Sequence, residues 1–560
     1  MSQPEKVAIF FHPDAVEGEG REIVGRRSAG QSFLKGFLAH AGGDEVRAYV
    51  DAPKAAKAFD EAARALGETR PLRVPSLRGG FDPAFAGTVF FPTPGFQGTP
   101  WQRMRHGPAS CSLVGITHTV STRRIIEGIH QMLAEPVEPW DAVICTSHAV
   151  KSVVARQFEA EAEFFRARYG ATRVPQPQLP VIPLGIAADD FTPRDGARAR
   201  MRAAQGAREE AVVVLTMGRM SVIEKANPIP LLLALEQVAH RTGREVHLWM
   251  TGWASREEEE ALHRTAAEAL CDRVQVRFLD GRDPDIRRDV WAGADIFTLP
   301  ADSIQETFGL VPVEAMAAGL PVVMPDWDGF RDTVIHGETG LLVPTRMAPV
   351  GSGAQLARRF AEGVDGYLQY LALVQAQVQI EVPAYAAAFE ALIRDPALRA
   401  KMGRQAAAHV RATLDWSAVI PQYLALAEDL AALRGAEPPK RSVNPLQIDP
   451  FTLYQDYPST KIRPDDVVTL VRPVTPEEIA LHSQISGREL YRRHAVPPLS
   501  LHQACQWLEA NGPTDVTRLA QGLQTSVNQA LIIVLILAKS DMVRLPEIPF
   551  DPPSDAGRRT

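Results

Sequence analysis

Two series of short, β-rich apolar runs, separated by segments of helical period, constrain this chain more than anything else in it. The first series is Val7–Phe11, Glu45–Val50, Thr88–Pro92, Ser112–Thr117 and Ala142–Ser147; the second is Val212–Met217, Val246–Thr251, Val274–Leu279, Ile296–Pro300, Val322–Pro325 and Leu341–Pro344. Between the first two runs, Phe33, Leu34, Phe37 and Leu38 recur at the spacing of one helix face. Strands alternating with helices are the mark of βαβ units on a parallel sheet. The expected fold class is therefore α/β, with two Rossmann-like doubly wound domains, and a chain of 560 residues is long enough to need more than one core. Leu179 to Pro193, broken by prolines and Gly185, reads as the hinge, which divides residues 1–190 from 191–434.

After Thr345 the sequence reads as helical, with Ala387–Arg411 and Trp416–Leu433 carrying the longest periodic stretches, and Pro438 and Pro439 mark a break. Residues 435–560 read as a mainly helical appendage with capped helices opening at Thr514 and at Thr525 or Ser526. Thr514–Leu523, Thr525–Lys539 and Met542–Leu545 give the outline of a winged-helix module. A helical packing or self-association element, or a site for a protein partner, is the plainer expectation, because no basic recognition face is evident.

A net charge of -7 gives no reason to expect nucleic acid as the main partner. Cys111, Cys145, Cys271 and Cys505 are too scattered for a zinc knuckle or a disulfide framework, which points to a reducing cytoplasm. No basic leader or cleavage site precedes Val7–Phe11, so no signal peptide is expected. The most apolar stretch, Ala530–Ala538, is far short of the ~20 residues of a membrane span and reads as a buried helix. Arg26 with Arg27, and Arg123 with Arg124, each precede an amphipathic run and suggest at most a weak peripheral membrane contact.

The chemistry concentrates between Leu299 and Pro344. Glu306-Thr307-Phe308-Gly309-Leu310 leads to Glu314, eight positions after Glu306, and on to Gly319-Leu-Pro-Val-Val and Gly337-Glu-Thr-Gly-Leu-Leu-Val-Pro. With Phe308 opening the next helix, Glu306 stands at the helix mouth and Glu314 about two turns inside. Helix N-termini at the carboxyl ends of parallel strands present free N–H groups to anions. The amides of Phe308, Gly309 and Leu310 suit phosphate or sugar oxygens, and the two carboxylates suit sugar or ribose hydroxyls.

This segment resembles the family 4 retaining glycosyltransferases, which have the GT-B fold of two Rossmann-like domains facing across a cleft. Their glutamate, seven residues, glutamate signature matches Glu306 and Glu314, and the match continues through Ala294-Asp-Ile-Phe-Thr-Leu-Pro and Gly337-Glu-Thr-Gly-Leu-Leu-Val. The resemblance implies a second donor element at Met217-Gly218-Arg219 through Lys225, with Arg219 and Lys225 clamping a diphosphate; Ala226 follows where the family commonly has glycine. It also implies that His118, in Gly115-Ile-Thr-His118, approaches the donor sugar, and that Ala29-Gly30 belongs to a loop beside the acceptor. The implied activity is transfer of a sugar, with retention, from a nucleoside-diphosphate sugar to a hydroxyl acceptor that is a glycan, lipid or small molecule. His118, Glu306, Arg219 and Lys225 are the expected catalytic set, and no metal or other cofactor is implied. The competing expectations are another reaction on the same scaffold, such as a sugar phosphorylase or epimerase, or a silent scaffold acting through its appendage. Asp141–Ser147 and Ile182–Ile186 also resemble family segments and read as mainly structural.

Overall fold

The computed structural model describes residues 6–13, 25–77, 80–96, 98–436, 444–445, 447–486 and 496–548; for residues 25–29 it describes the backbone alone. The chain divides into two compact units, Met1–Val443 and Asn444–Thr560. The first holds two six-stranded parallel sheets, built from β1 (Val7–Phe11), β2 (Val46–Val50), β3 (Leu72–Arg73), β4 (Thr88–Phe90), β5 (Ser112–Ile116) and β6 (Ala142–Ile144), then from β7 (Val212–Arg219), β8 (Val246–Trp253), β9 (Gln275–Asp280), β10 (Ile296–Thr298), β11 (Val322–Pro325) and β12 (Gly340–Val343).

The strand orders are β3-β2-β1-β4-β5-β6 and β12-β11-β10-β7-β8-β9. Each is the doubly wound order, in which the chain leaves the first strand in one direction and later returns to its other side. Each sheet therefore has one switch point, between β1 and β4 and between β7 and β10, where the flanking loops diverge and leave a crevice at the carboxyl edge.

The strands form where the apolar runs stand because they are covered on both faces. Val213, Val214 and Leu215 of β7, Ile296 and Phe297 of β10 and Val322 and Val323 of β11 are fully buried. Short β3 carries too few apolar residues to stand out in the sequence. A second departure follows β12: the region after Thr345 opens with an antiparallel hairpin, β13 (Thr345–Met347) with β14 (Val378–Ile380), which frames the helices Ala354–Ala361 and Tyr367–Gln375.

The final helix of the unit, Trp416–Gly435, packs on the helix Gly25–His40 of the first domain. The Trp416 indole N–H donates to Ser32 Oγ at 2.8 Å, and the Tyr423 ring lies 5.7 Å from Phe33 and 5.4 Å from Phe90. The chain thus crosses to the second domain at the Leu179–Pro193 segment and returns to the first. At the crossing, Ile186 pairs with the entry to this helix: Ile186 N–H donates to Leu414 O, and Trp416 N–H donates back to Ile186 O, both at 3.0 Å.

Beneath the first sheet lies a fully buried ion pair. Arg103 Nη1 and Nη2 donate to the two carboxylate oxygens of Asp141 at 2.5 and 2.8 Å, and Asp141 also accepts the Leu113 and Glu138 amides, each at 2.8 Å. Asp141 thereby ties β5 and the entry to β6 to the segment that carries Arg103.

The second unit has its own core, in which Val468, Leu501, Leu508, Leu519, Val534 and Leu537 are buried. It contains more sheet than its sequence suggests: β15 (Val467–Leu470) is flanked by β16 (Thr514–Asp515) and β17 (Val543–Arg544), all antiparallel. Thr514 pairs with Val468 rather than opening a helix; Asp515 is the cap, its carboxylate accepting the Arg518 amide at 2.8 Å. Ser526 caps the helix Val527–Lys539, whose Ala530, Ile533, Val534 and Leu537 face the core. No single described helix is long and apolar enough to cross a membrane, and the pair Val516–Gly522 and Val527–Lys539 is bent by 106°. Pro438, Pro439 and the side chains of Arg26 and Arg27 lie outside the described residues.

Two measurements check this architecture. Asp141→Ala strands the Arg103 guanidinium without its partner and lowers unfolding free energy by about 3–5 kcal/mol in urea titration; a loss below about 1 kcal/mol would contradict the role given to the pair. A chain ended at Val443 retains a cooperative melt of its own, because each unit encloses a separate core; a chain that no longer melts cooperatively would contradict that division.

Candidate active site

The crevice at the β7/β10 switch point collects the charged residues. Strand β7 ends in Gly218 and Arg219, and the loop that follows carries Glu224 and Lys225. Strand β10 feeds the loop through Asp302 and Glu306 to the helix Leu310–Ala317. Arg219 and Lys225 line one open pocket with Thr216, Gly218, Thr251 and His263. Lys225 Nζ lies 3.3 Å from Glu306 Oε2, and Arg219 Nη1 lies 3.3 Å from Glu224 Oε2.

Burial opposes ionisation of Glu306, but the Lys225 ammonium and the Thr307 and Phe308 amides outweigh it and hold the carboxyl below its ordinary range. Glu314 behaves in the opposite way: burial, only partly offset by Arg287, pushes it up to about 7. Two carboxyls in one motif are thus shifted in opposite directions, because only Glu306 has a cation in contact.

The helix opens at Leu310, two residues later than Phe308, so Glu306 lies in the loop and Glu314 little more than one turn inside. Gly309 sets this boundary. It is the N-cap, at φ 82°, and a Cβ there would stand 2.3 Å from the Phe330 ring, so the loop turns into the helix at the one residue that tolerates both conditions. The Phe308 ring is buried below, and the amides of Gly309 and Leu310 begin the helix N-terminus.

Ala226, where a glycine was expected from the resemblance, needs no left-handed backbone. It forms an antiparallel bridge to Ala301 and donates to Ser221 O at 3.1 Å, closing the clamp loop. Asp302 secures the same loop: its Oδ1 accepts the Asn227 amide at 3.3 Å and Gln375 Nε2 at 2.5 Å, while that Gln375 nitrogen also reaches Val222 O at 2.7 Å. Burial raises Asp302 to about 6 despite these donors.

The first domain meets this crevice at three points. Thr307 Oγ1 donates to the His118 carbonyl at 2.7 Å, which sets the His118 loop against the Glu306 loop. Ser147 Oγ lies 3.4 Å from Asp328 Oδ1, and His148 donates its amide to Asp332 Oδ2 at 2.7 Å while its Nδ1 stands 2.8 Å from Oδ1. The Tyr367 hydroxyl stands 2.9 Å from Ser121 Oγ.

His118, Arg219, Lys225, Glu306 and Thr307 therefore border one region, whereas Glu314 has no hydrogen bond to Glu306 among the described residues. Ala29 and Gly30 belong to the helix Gly25–His40 and not to a loop; the Ala29 side chain is outside the described residues. Sequence reasoning passed over Asp302, Asp328 and Asp332. The signal for Asp328 was present: an Asp-Gly pair immediately beyond a buried strand marks a turn at the carboxyl edge of the sheet.

Two Rossmann-like domains with a cation pair and a carboxylate at the switch-point crevice between them define the GT-B class of glycosyltransferase fold. Residues 211–362 match the family described as Glycosyl transferases group 1. The chain is 27% identical over 324 residues to the D-inositol 3-phosphate glycosyltransferase of Corynebacterium glutamicum, covering 57% of this chain and 68% of that one. It is 31% identical over 236 residues to the enzyme of the same name from Nocardia farcinica, covering 41% of this chain and 50% of that one. The chain thus spans between half and about two thirds of these curated relatives. Among solved structures, a glycosyltransferase from Rickettsia africae aligns with 76% of the chain at 13% identity and a TM-score of 0.47. The sucrose-phosphate synthase of Thermosynechococcus elongatus aligns with 77% of it at 19% identity and a TM-score of 0.45.

The pairing of Lys225 with Glu306 has a pH signature. A carboxyl held below its unfolded value contributes stability that is present above that value and lost as pH falls through the folded one. Lys225→Met removes the contribution, so the stability gap between wild type and variant is widest near neutral pH and closes below about pH 4. Urea titrations across pH 3–7 check this, and a gap independent of pH would contradict the pairing.

Proposed function

We propose that this protein is a retaining glycosyltransferase that moves a sugar from a nucleoside-diphosphate sugar to a hydroxyl acceptor without a metal ion. The observation that carries the reading is Arg219 and Lys225 on one cavity at the carboxyl end of β7, with Lys225 in contact with Glu306. The relatives are named for transfer to an inositol phosphate, an acceptor rich in hydroxyls, which supports the acceptor class and leaves its identity to experiment.

The step balances as follows. The bond from the anomeric carbon to the diphosphate oxygen breaks, and the pair of electrons leaves with the diphosphate. The acceptor oxygen forms its bond to that carbon on the same face, and its proton passes to the departing phosphate oxygen. Arg219 and Lys225 stabilise the charge gathering on the diphosphate, the work a divalent ion does elsewhere. The Gly309 and Leu310 amides add donors at the helix N-terminus. Glu306, kept ionised, accepts hydrogen bonds from the sugar and does not act as a nucleophile. Glu314 reads the ribose hydroxyls, and His118 contacts the sugar from the opposite wall. The four cysteines, all free and Cys111, Cys145 and Cys505 buried, support a reducing compartment such as the cytoplasm.

The test is release of nucleoside diphosphate from a panel of nucleotide sugars, with and without polyol and sugar-phosphate acceptors. Lys225→Ala, Arg219→Ala and Glu306→Ala each lower kcat/KM by roughly 10²–10³, the scale of losing one preorganised charge partner, while EDTA leaves the rate unchanged. Unchanged turnover in Lys225→Ala, or a product of inverted configuration, would contradict the reading.

A further inference from the structure

The turn after β11 carries a carboxyl that neither grips phosphate nor pairs with Lys225. Asp328 sits at φ 45°, in the left-handed region that non-glycine residues seldom occupy. The turn is clamped on the Glu306 loop from both sides of Asp328. The Trp327 indole N–H donates to Ser303 O at 3.2 Å, and Gly329 approaches so closely that a Cβ there would lie 2.5 Å from Phe308 Cα and 2.8 Å from Thr307 O. Asp328 and Glu306 are therefore held on one rigid body.

Across the crevice, Asp328 Oδ1 faces Ser147 Oγ at 3.4 Å, and Ser147 is the residue that caps the helix His148–Tyr169. The other oxygen, Oδ2, is shut off from solvent and has no hydrogen-bond partner. A buried acceptor or hydroxyl left unsatisfied is costly, and so is the backbone conformation; both costs fall on one residue beside the sugar-facing carboxylate.

Burial, with Glu306 and Asp332 nearby, raises the Asp328 carboxyl to about 8 against the lowering effect of the Gly329 amide and Ser147. Lys225 is engaged with Glu306, and His148 with Asp332. Glu306 is thus held toward its ionised form, which accepts hydrogen bonds, and the neighbouring Asp328 toward its neutral form, which can donate one.

We propose that Asp328 is a second sugar-reading residue, whose Oδ2 hydrogen-bonds a hydroxyl of the sugar carried by the nucleotide donor and so helps set which sugar is accepted. The identity of the ligand rests on the glycosyltransferase reading above. Glycine suits φ 45° better than aspartate does, and asparagine tolerates it, so neither replacement threatens the fold.

The experiment is calorimetric titration of the full chain with UDP-, GDP- and ADP-linked hexoses and with the matching nucleoside diphosphates. For the nucleotide that binds, Asp328→Gly leaves diphosphate affinity within about twofold and a melting temperature equal to or above wild type. It lowers the extra affinity contributed by the sugar about tenfold, as expected for one lost hydrogen bond from a buried group. Asp328→Asn keeps a donor and recovers part of that increment. The wild-type increment declines as pH passes about 8, and that of Asp328→Asn does not. An unchanged sugar increment in Asp328→Gly overturns this inference alone, as does an equal loss of affinity for the nucleoside diphosphate without its sugar. If the wild-type chain binds none of these nucleotides, the glycosyltransferase reading falls and this inference with it.

Discussion

The contact between Lys225 and Glu306 organises the donor side of the molecule. Glu306 is largely withdrawn from water and would be costly there alone, since a buried charge without a partner loses hydration that nothing replaces, and the half-buried Lys225 supplies that partner. Together they fix the ends of two loops that belong to different strands. The strand order makes the meeting possible: β7 and β10 are neighbours in the sheet although Lys225 and Glu306 are far apart in sequence. The divergence of their flanking connections opens the crevice into which both loops turn. Secondary contacts then hold each loop in place. Asp302 and Gln375 pin the clamp loop from below, and Gly309 with Phe330 sets where the Glu306 loop becomes a helix.

The opposing wall is registered against that pair by short polar contacts and not by an apolar seam. Thr307 reaches the His118 carbonyl, Ser147 faces Asp328, and His148 meets Asp332. Such contacts are individually small in net free energy. The lasting connection lies elsewhere, in the aromatic packing of the helix Trp416–Gly435 on the first domain.

Much of this was legible in the residues. Eleven apolar runs fall on the strands of the two sheets because parallel strands covered on both faces need continuous apolar sequence. What escaped was set by tertiary pairing. Leu72–Arg73 and Val378–Ile380 are strands only because a neighbour is there to receive them, and Thr514 joins a sheet whose central strand begins far upstream at Val467. In the crevice, the charged motif residues announced themselves by type and spacing. The helix start at Leu310 depended on one glycine's conformation and on a ring from a distant helix, and the expected loop at Ala29-Gly30 is helical. Asp302 and Asp332 carry no motif of their own, and the Asp328-Gly329 pair signals only a turn; their significance comes from which carbonyls, amides and hydroxyls the fold brings to them.

The proposed function requires one diphosphate site between Arg219 and Lys225, with the attached sugar directed toward Glu306. A crystal of the full chain soaked with a non-hydrolysable nucleotide sugar tests it most directly. The account predicts both phosphates within hydrogen-bonding reach of the Arg219 guanidinium, the Lys225 ammonium and the amides at Gly309 and Leu310, with a sugar hydroxyl on Glu306. Phosphates bound elsewhere, with Lys225 still closed on Glu306, would contradict it.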